Sequence, residues 1–119
     1  MADGTLILDT TGWADADPAA RLTLAAAQLR DVAAADWPLQ AGCTQGGWAD
    51  ASGLQVSVLA VAPHGADWHV DLVLFFSEVV GGCNCHDDPV RHPVCARYRV
   101  VINADRSAHV HVADARSPD

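Results

Sequence analysis

Hydrophobic and polar residues along the chain follow first a helical period and then a strand-like one. Between Asp17 and Asp36 the apolar residues recur every three or four positions, which is typical of a helix with one buried face. Asp17 followed by Pro18 is a favourable helix start, and Pro38 prevents the helix from continuing. The apolar stripe of this predicted helix consists of Leu22, Ala25, Ala26, Leu29, Val32 and Ala33.

After Gly53 the period changes to two, which predicts β-strands. A turn at 105–107 is short enough to join the last two strands in a hairpin. One helix followed by closely spaced strands predicts an α+β fold, with an N-terminal helix packed on a four- to five-stranded antiparallel meander sheet. The 119 residues fit a single domain, 1–119. The predicted strands cover 54–62, 68–80, 96–104 and 107–113, with a short further strand at 5–9 and loops at 39–53 and 81–95.

Side-chain parity along these strands separates the predicted sheet into two faces. One face is almost entirely apolar and is expected to lie under the helix, because it includes Val70, Leu72 and Val100. The second face is mixed. Its apolar members are Leu59, Val61, Val73, Phe75 and Val101. Its polar members are Gln55, Ser57, His69, Asp71, Ser77, Arg97, Arg99, Asn103, His109 and His111.

The apolar residues of the second face form a predicted patch near the middle of the sheet, and such patches often mark interfaces. Three arrangements would account for it: contact with a partner protein or a second copy, cover by the loop 39–53, or a groove for a small molecule. His109 and His111 point the same way, but the predicted strand order places a strand between them and His69, which argues against a shared metal ion. The candidate interface residues are Phe75, Val73, Val101, Leu59, His69, Asp71, Arg99, His109 and His111.

The predicted loop 81–95 concentrates three of the four cysteines together with two histidines. Thiolates and imidazoles are the ligands that Zn²⁺ takes in tetrahedral structural sites. A single Cys-x-Cys pair and a lone Cys are less specific than two Cys-x₂-Cys pairs, so a disulfide to Cys95 and free thiols stay open as alternatives. The predicted zinc ligands are Cys83, Cys85, His92 and Cys95, with His86 as a substitute.

Charge and composition narrow the range of partners. The net charge is −8, with seven Arg, no Lys and a single Glu, Glu78. Nucleic acids and anionic membranes are recognised by clustered cations, so neither is an expected partner. The chain has no apolar run of about 20 residues, and no secretory leader is recognisable. We therefore expect a cytoplasmic protein whose thiols stay reduced.

The sequence predicts a binding protein more readily than an enzyme. It contains no Gly-rich phosphate loop with a following Lys, no G-x-S-x-G and no H-E-x-x-H. Glu78, at the end of a predicted strand, is either a base or, as we expect, a solvated carboxylate. We expect a non-catalytic binding or regulatory domain that holds a structural metal and pairs through its second face. The alternatives are an acidic inhibitor- or immunity-type protein without metal and a thiol-dependent redox protein.

Overall fold

The computed structural model describes residues 4–81 and 89–116, and within these ranges it contains one α-helix and a five-stranded antiparallel sheet. The helix is α1 (Pro18–Arg30), followed by two short 3₁₀ turns, Ala34–Asp36 and Leu39–Gly42. The strands are β1 (Gly4–Ile7), β2 (Trp48–His64), β3 (Asp67–Val80), β4 (Val90–Ile102) and β5 (Ser107–Arg116). The predicted α+β class is confirmed. No helix in the described ranges has both the length and the apolar character to cross a bilayer.

The strand order is β1-β5-β4-β3-β2. Strands β2 to β5 lie side by side in chain order, whereas β1 pairs with β5, so that Leu6 lies opposite Ala108. Between β1 and β2 the chain crosses to the other edge of the sheet through α1. The complete sheet is therefore not a simple meander, and α1 follows a strand instead of preceding all of them. A four-residue strand carries no local signal for the edge it joins, so the pairing of β1 with β5 could not be predicted from the sequence.

Helix α1 ends earlier than its apolar pattern predicts. Asp17 caps its start by accepting a hydrogen bond from the backbone N–H of Ala20 at 2.8 Å. The helix ends at Arg30 and not at Asp36, because the chain then turns to bring Trp37, only 4% exposed, into the core. The buried helical residues are Ala25 and Leu29.

Both β2 and β4 begin inside segments that the sequence predicts as loops. Residues 48–50 pair with 77–79, and residues 90–95 pair with 75–80. Hydrogen bonding to β3 therefore overrides the local Gly and Pro signals in these segments. The register of β2 shifts between Asp50 and Gln55 and again between Val58 and Ala60, and such bulges are typical of edge strands.

The core lies between α1 and one face of the sheet. Val70 and Leu72 on β3 are fully buried, as the parity predicted. The prediction for Val61 was wrong, because the bulge at Leu59 reverses the parity and places Val61 opposite Val70 and against the core. The other fully buried side chains of the core include Trp13, Leu29, Leu74, Tyr98, Val100, Ile102 and Val110.

The sheet face turned away from α1, termed the open face, follows from the register. Asp71 lies beside Arg99 and Phe75 beside Cys95, while Leu59, the extra residue of the bulge, is exposed at its border. The open face comprises Trp48, Asp50, Gln55, Ser57, Ala60, Ala62, His64, Asp67, His69, Asp71, Val73, Phe75, Ser77, Val79, Arg91, Pro93, Cys95, Arg97, Arg99, Val101, His109 and His111.

Candidate functional site

The centre of the open face is Phe75, which remains 40% exposed between Gln55 and Cys95. Its neighbour Val73 is only 8% exposed, so the apolar patch is narrower than the sequence predicted. Leu59 is 42% exposed. An uncovered Phe and Leu on one sheet face form the kind of apolar surface that binds other molecules.

The segment 39–53 is divided between the two sides of the sheet. The 3₁₀ turn Leu39–Gly42 packs on the helix-facing side, where the Tyr98 hydroxyl donates a hydrogen bond to the carbonyl of Pro38 at 3.0 Å. Gly42 lies against that same hydroxyl and against Phe76. Residues 48–50 instead join β2 and place Trp48, 54% exposed, on the open face opposite Val79. The predicted loop therefore reaches this face but leaves Phe75 40% exposed.

An ion pair lies on the open face four residues along the strands from Phe75, with Val73 between them. The Arg99 guanidinium donates to both carboxylate oxygens of Asp71, at 2.8 and 3.3 Å. These hydrogen bonds lower the pKa of Asp71, against the opposing effect of partial burial. Both side chains are close to 40% exposed, so the pair adds little stability and remains available to a partner.

Histidines occupy the far end of the open face. The rings of His64 and His69 stack with centroids 4.3 Å apart and an interplanar angle of 11°. Partial burial lowers the pKa of His69, and His64 and Arg99 lower it further, while Asp67 and Asp71 oppose the shift. His109 lies across Val101 from His69, as predicted. The His64 stack was missed, because the sequence places His64 in a turn.

The fixed charges of the open face cancel among the side chains that the structure describes. Arg97 is exposed, and Arg91 forms an ion pair with Asp50. The acids of this face are Asp50, Asp67 and Asp71, and its arginines are Arg91, Arg97 and Arg99. The whole chain carries a net charge of −8, so the excess negative charge lies away from these residues.

Glu78 is fully buried on the helix-facing side, which corrects the expectation of a solvated carboxylate. Its oxygens accept backbone N–H bonds from Thr44 at 2.9 Å, from Gln45 at 3.0 and 3.1 Å, and from Gly47 at 2.6 Å. Burial alone would raise the pKa of Glu78, but these donors, with a contribution from His92, bring it below its ordinary value. The carboxylate therefore holds the loop 43–47 on the end of the sheet.

The two described members of the predicted zinc set lie on opposite faces of β4. His92 is opposite Glu78 on the helix-facing side, whereas Cys95 is opposite Phe75 on the open face. The structure does not bring them together, and no group of three His, Cys, Asp or Glu in the described ranges is placed to hold a metal. Cys83, Cys85 and His86 lie outside the described residues, so zinc binding stays a prediction.

Cys43, the first residue of the loop 43–47 that Glu78 holds, is half-buried. Burial, helped by the Glu78 charge, raises the pKa of the Cys43 thiol to about 11. The thiolate is the reactive form of cysteine, so this thiol is protonated and unreactive at neutral pH. Cys43 therefore acts as a small, partly buried apolar residue.

A groove that the sequence does not reveal runs between α1 and β2. It consists of two adjoining hollows that share Arg30. The first, of about 400 Å³, is lined by Arg30, Val32, Trp37, Leu54, Gln55 and Val56. The second, of about 370 Å³, is lined by Leu22, Thr23, Ala26, Ala27, Arg30, Ser57 and Val58.

Trp37 lines the first hollow and carries a buried, unsatisfied donor. Its indole Nε1 is buried, and no hydrogen-bond acceptor lies within reach in the described part of the chain. An unpaired buried donor costs about 1–3 kcal/mol, so natural structures rarely keep one without a reason. This unpaired donor could not be predicted from the sequence, because nothing local distinguishes Trp37 from a Trp whose N–H is paired.

No protein-family model, curated protein or solved structure matches this chain.

Proposed function

We propose that this protein is a non-catalytic binding domain that works as a dimer, in which two copies meet through their open faces. The observation that carries this proposal is Phe75, which stays 40% exposed at the centre of a regular sheet face. Aromatic side chains at the centre of a surface are typical anchors of protein interfaces.

Electrostatics favour a second copy as the occupant of the open face. Each chain carries a net charge of −8, so two copies repel one another over most orientations. The described fixed charges of the open face balance, so repulsion is weakest when the open faces approach each other. Asp71 of one copy can pair with Arg99 of the second copy, and Arg99 with the second copy's Asp71. Such pairs would fix how the two faces are aligned.

The size of the open face also fits a dimer. Strands β2, β3 and β4 span positions 69 to 79 and β5 reaches position 75, and with strands about 4.8 Å apart and residues of about 3.3 Å this gives an area of roughly 630 Å². A standard interface buries about 800 Å² on each partner. The face is therefore of the size that a stable contact between two small domains requires.

The state of the buried ionisable groups supports binding over catalysis. Both oxygens of Glu78 are occupied by backbone N–H groups, so they are not free to take a proton from a substrate. The Cys43 thiol is protonated at neutral pH. The Glu78 carboxylate stabilises the loop 43–47, and the Cys43 thiol packs against the core. Both residues therefore have a structural role that requires no catalytic one.

Phe75→Asp is expected to convert the dimer into a monomer on a sizing column. Two Asp would replace two Phe at the centre of the interface, and a loss of about 1.4 kcal/mol for each raises the dissociation constant about a hundredfold. Leu24→Asp is the matched control, because Leu24 on α1 is 41% exposed and lies away from the open face. An unchanged elution volume of a folded Phe75→Asp variant, or equal dissociation of the control, would contradict the proposal.

We also propose that the cysteine loop holds one structural zinc, using either His92 or Cys95 but not both. Protein purified without chelator is expected to contain about one zinc per chain, because three Cys or His remain in 83–86 to complete a four-ligand site. His92→Ala and Cys95→Ser are compared by elemental analysis, and one of them should lose the metal while the other keeps it. Absence of zinc together with four free thiols in the parent would reject this proposal.

A further inference from the structure

We propose that mild acid dissociates the open-face dimer, because histidines on the open face become positively charged and repel the equally charged face of the second copy. Such a response presupposes the proposed dimer and adds the condition that controls it. Histidine is the side chain whose charge ordinarily changes between pH 5 and 8. The open face carries His64, His69, His109 and His111.

These histidines surround the ion pair that aligns the two copies in the proposed dimer. His69 lies two residues from Asp71 on β3, and His111 of β5 lies opposite Arg99 of β4. Residues opposite one another on paired strands have Cβ atoms only about 4.5–5.5 Å apart, so His111 is an immediate neighbour of Arg99. A second copy that exchanges partners with Asp71 and Arg99 therefore approaches the histidines as well.

The stack of His64 on His69 belongs to the uncharged state of this surface. The two rings are nearly parallel, with centroids 4.3 Å apart. Two imidazolium ions at this distance would repel each other, and the repulsion grows where an interface excludes water. Partial burial lowers the pKa of His69, which acts in the same direction. Because the dimer would bury both rings further, dimerisation favours their neutral forms.

The acids described near these histidines do not balance the charge that protonation would add. Asp71 is already paired with Arg99, and Asp105, near His109, accepts hydrogen bonds from Ser107. The described fixed charges of the open face cancel when the histidines are neutral, so each protonated histidine leaves an excess positive charge on each copy. The charged groups described around the four histidines are Asp67, Asp71, Arg97, Arg99 and Asp105.

The net charge of the whole chain predicts the opposite response to pH. At pH 7 the chain carries −8, and protonation of its six histidines would offset all but two of these charges. Repulsion averaged over two molecules therefore weakens in acid, which would tighten a dimer whose interface held no histidine. Exposed charges more than about 8–10 Å apart are largely screened by salt, whereas charges inside a contact are not. The histidines of the open face therefore dominate, and acid is expected to weaken the dimer.

The size of the effect follows from proton linkage. An ordinary histidine of pKa about 6.5 is protonated in roughly three of four molecules at pH 6.0. Excluding that proton from the dimer raises the dissociation constant about fourfold for each such histidine. With at least one of them in each copy, the increase is at least about tenfold. The dimer is thus strongest above about pH 6.5 and weakens as the pH falls through that value.

Sedimentation equilibrium of the full chain at pH 8.0 and at pH 6.0 tests this response, since both values lie above the isoelectric point of about 4.9. The parent should be a dimer at pH 8.0, with a dissociation constant at least about tenfold higher at pH 6.0. The test variant combines His64→Gln, His69→Gln, His109→Gln and His111→Gln. Its dissociation constant should stay the same or fall at pH 6.0. His86 and His92 remain in this variant, so a response that they cause would persist.

Two smaller variants maintain the test if the quadruple variant does not fold, which circular dichroism at both pH values reveals. They are His64→Gln with His69→Gln, and His109→Gln with His111→Gln. Each should show a smaller rise in dissociation constant between pH 8.0 and pH 6.0 than the parent. A parent dimer that is equally tight or tighter at pH 6.0, or a parent-like rise in every folded variant, would overturn the acid response and leave the dimer intact. A parent that is monomeric at pH 8.0 would overturn the dimer, and the acid response with it.

Discussion

Replacing Glu78 by Gln is expected to lower the free energy of unfolding by about 3 kcal/mol, measured by urea denaturation. The Glu78 carboxylate accepts hydrogen bonds from three backbone N–H groups in a fully buried site. The side-chain amide of Gln is uncharged, and its NH₂ group cannot accept a hydrogen bond. In this site the NH₂ group would face backbone N–H groups, which are also donors. The result is at least one unpaired buried group and a displaced loop 43–47.

The pH dependence of this variant gives a second readout. The pKa of Glu78 is lower in the folded protein than in the unfolded chain, so the ionised carboxylate stabilises the fold above the unfolded value of about 4.3. That stabilisation is lost as the pH falls through the folded pKa. The difference in stability between parent and Glu78→Gln should therefore shrink below about pH 4.3.

Asp15→Asn is the control for the loss of one negative charge, because Asp15 is exposed. It should change the stability by less than about 0.5 kcal/mol. A Glu78→Gln variant as stable as the parent at neutral pH, or a difference that grows as the pH falls, would contradict the role of Glu78 as the anchor of the loop.

Gly47→Ala is expected to cost about 3 kcal/mol, at the upper end of ordinary overpacking. A Cβ at this position would overlap the backbone carbonyl oxygen of Val79 and crowd the side chain of Val80. A backbone carbonyl within a strand cannot rotate away as a side chain can, so the loop itself must move off the sheet. That movement would also break the hydrogen bond from Gly47 to Glu78.

Gly53→Ala is the matched control for Gly47→Ala. A Cβ at Gly53 would meet nothing within 4 Å, and Gly53 does not need a positive φ. Its stability should lie within about 0.5 kcal/mol of the parent value. Urea denaturation compares the free energies of unfolding of the two variants. A similar decrease in both would show that Gly47 is no more closely packed than Gly53.

Glu78→Gln and Gly47→Ala also bear on function, because both release a loop that is otherwise anchored on the helix-facing side. Gln40 adds to the anchoring, since its side chain donates to the carbonyl of Gly47 at 2.8 Å and accepts from the N–H of Ala49 at 3.1 Å. With the loop held there, Phe75 on the opposite side of the sheet remains uncovered. The packing of the loop therefore determines which surface is free to bind.

The sequence predicted those parts of the fold that depend on local patterns. The start of α1 follows from Asp17 and Pro18, and the alternation along β3 placed both Leu72 and Phe75 on the correct faces. The pairing of β1 with β5 and the bulge at Leu59 depend on distant partners. A pattern read along one strand contains no information on either.

The candidate sites divide in the same way. Parity and strand order were sufficient to place Asp71 near Arg99 on the mixed face. The hydrogen bonds between Glu78 and the loop 43–47 join residues more than thirty positions apart, so no local pattern predicts them. The unpaired Nε1 of Trp37 became visible only when its surroundings were known.

Sedimentation equilibrium of the parent chain at neutral pH is the most direct test of the proposed open-face dimer. The proposal predicts a mass of twice the 12.5 kDa of one chain, which falls to that of one chain in Phe75→Asp and is unchanged in Leu24→Asp. A parent protein that sediments as a single chain at all concentrations, or a dimer that Phe75→Asp leaves intact, would contradict it.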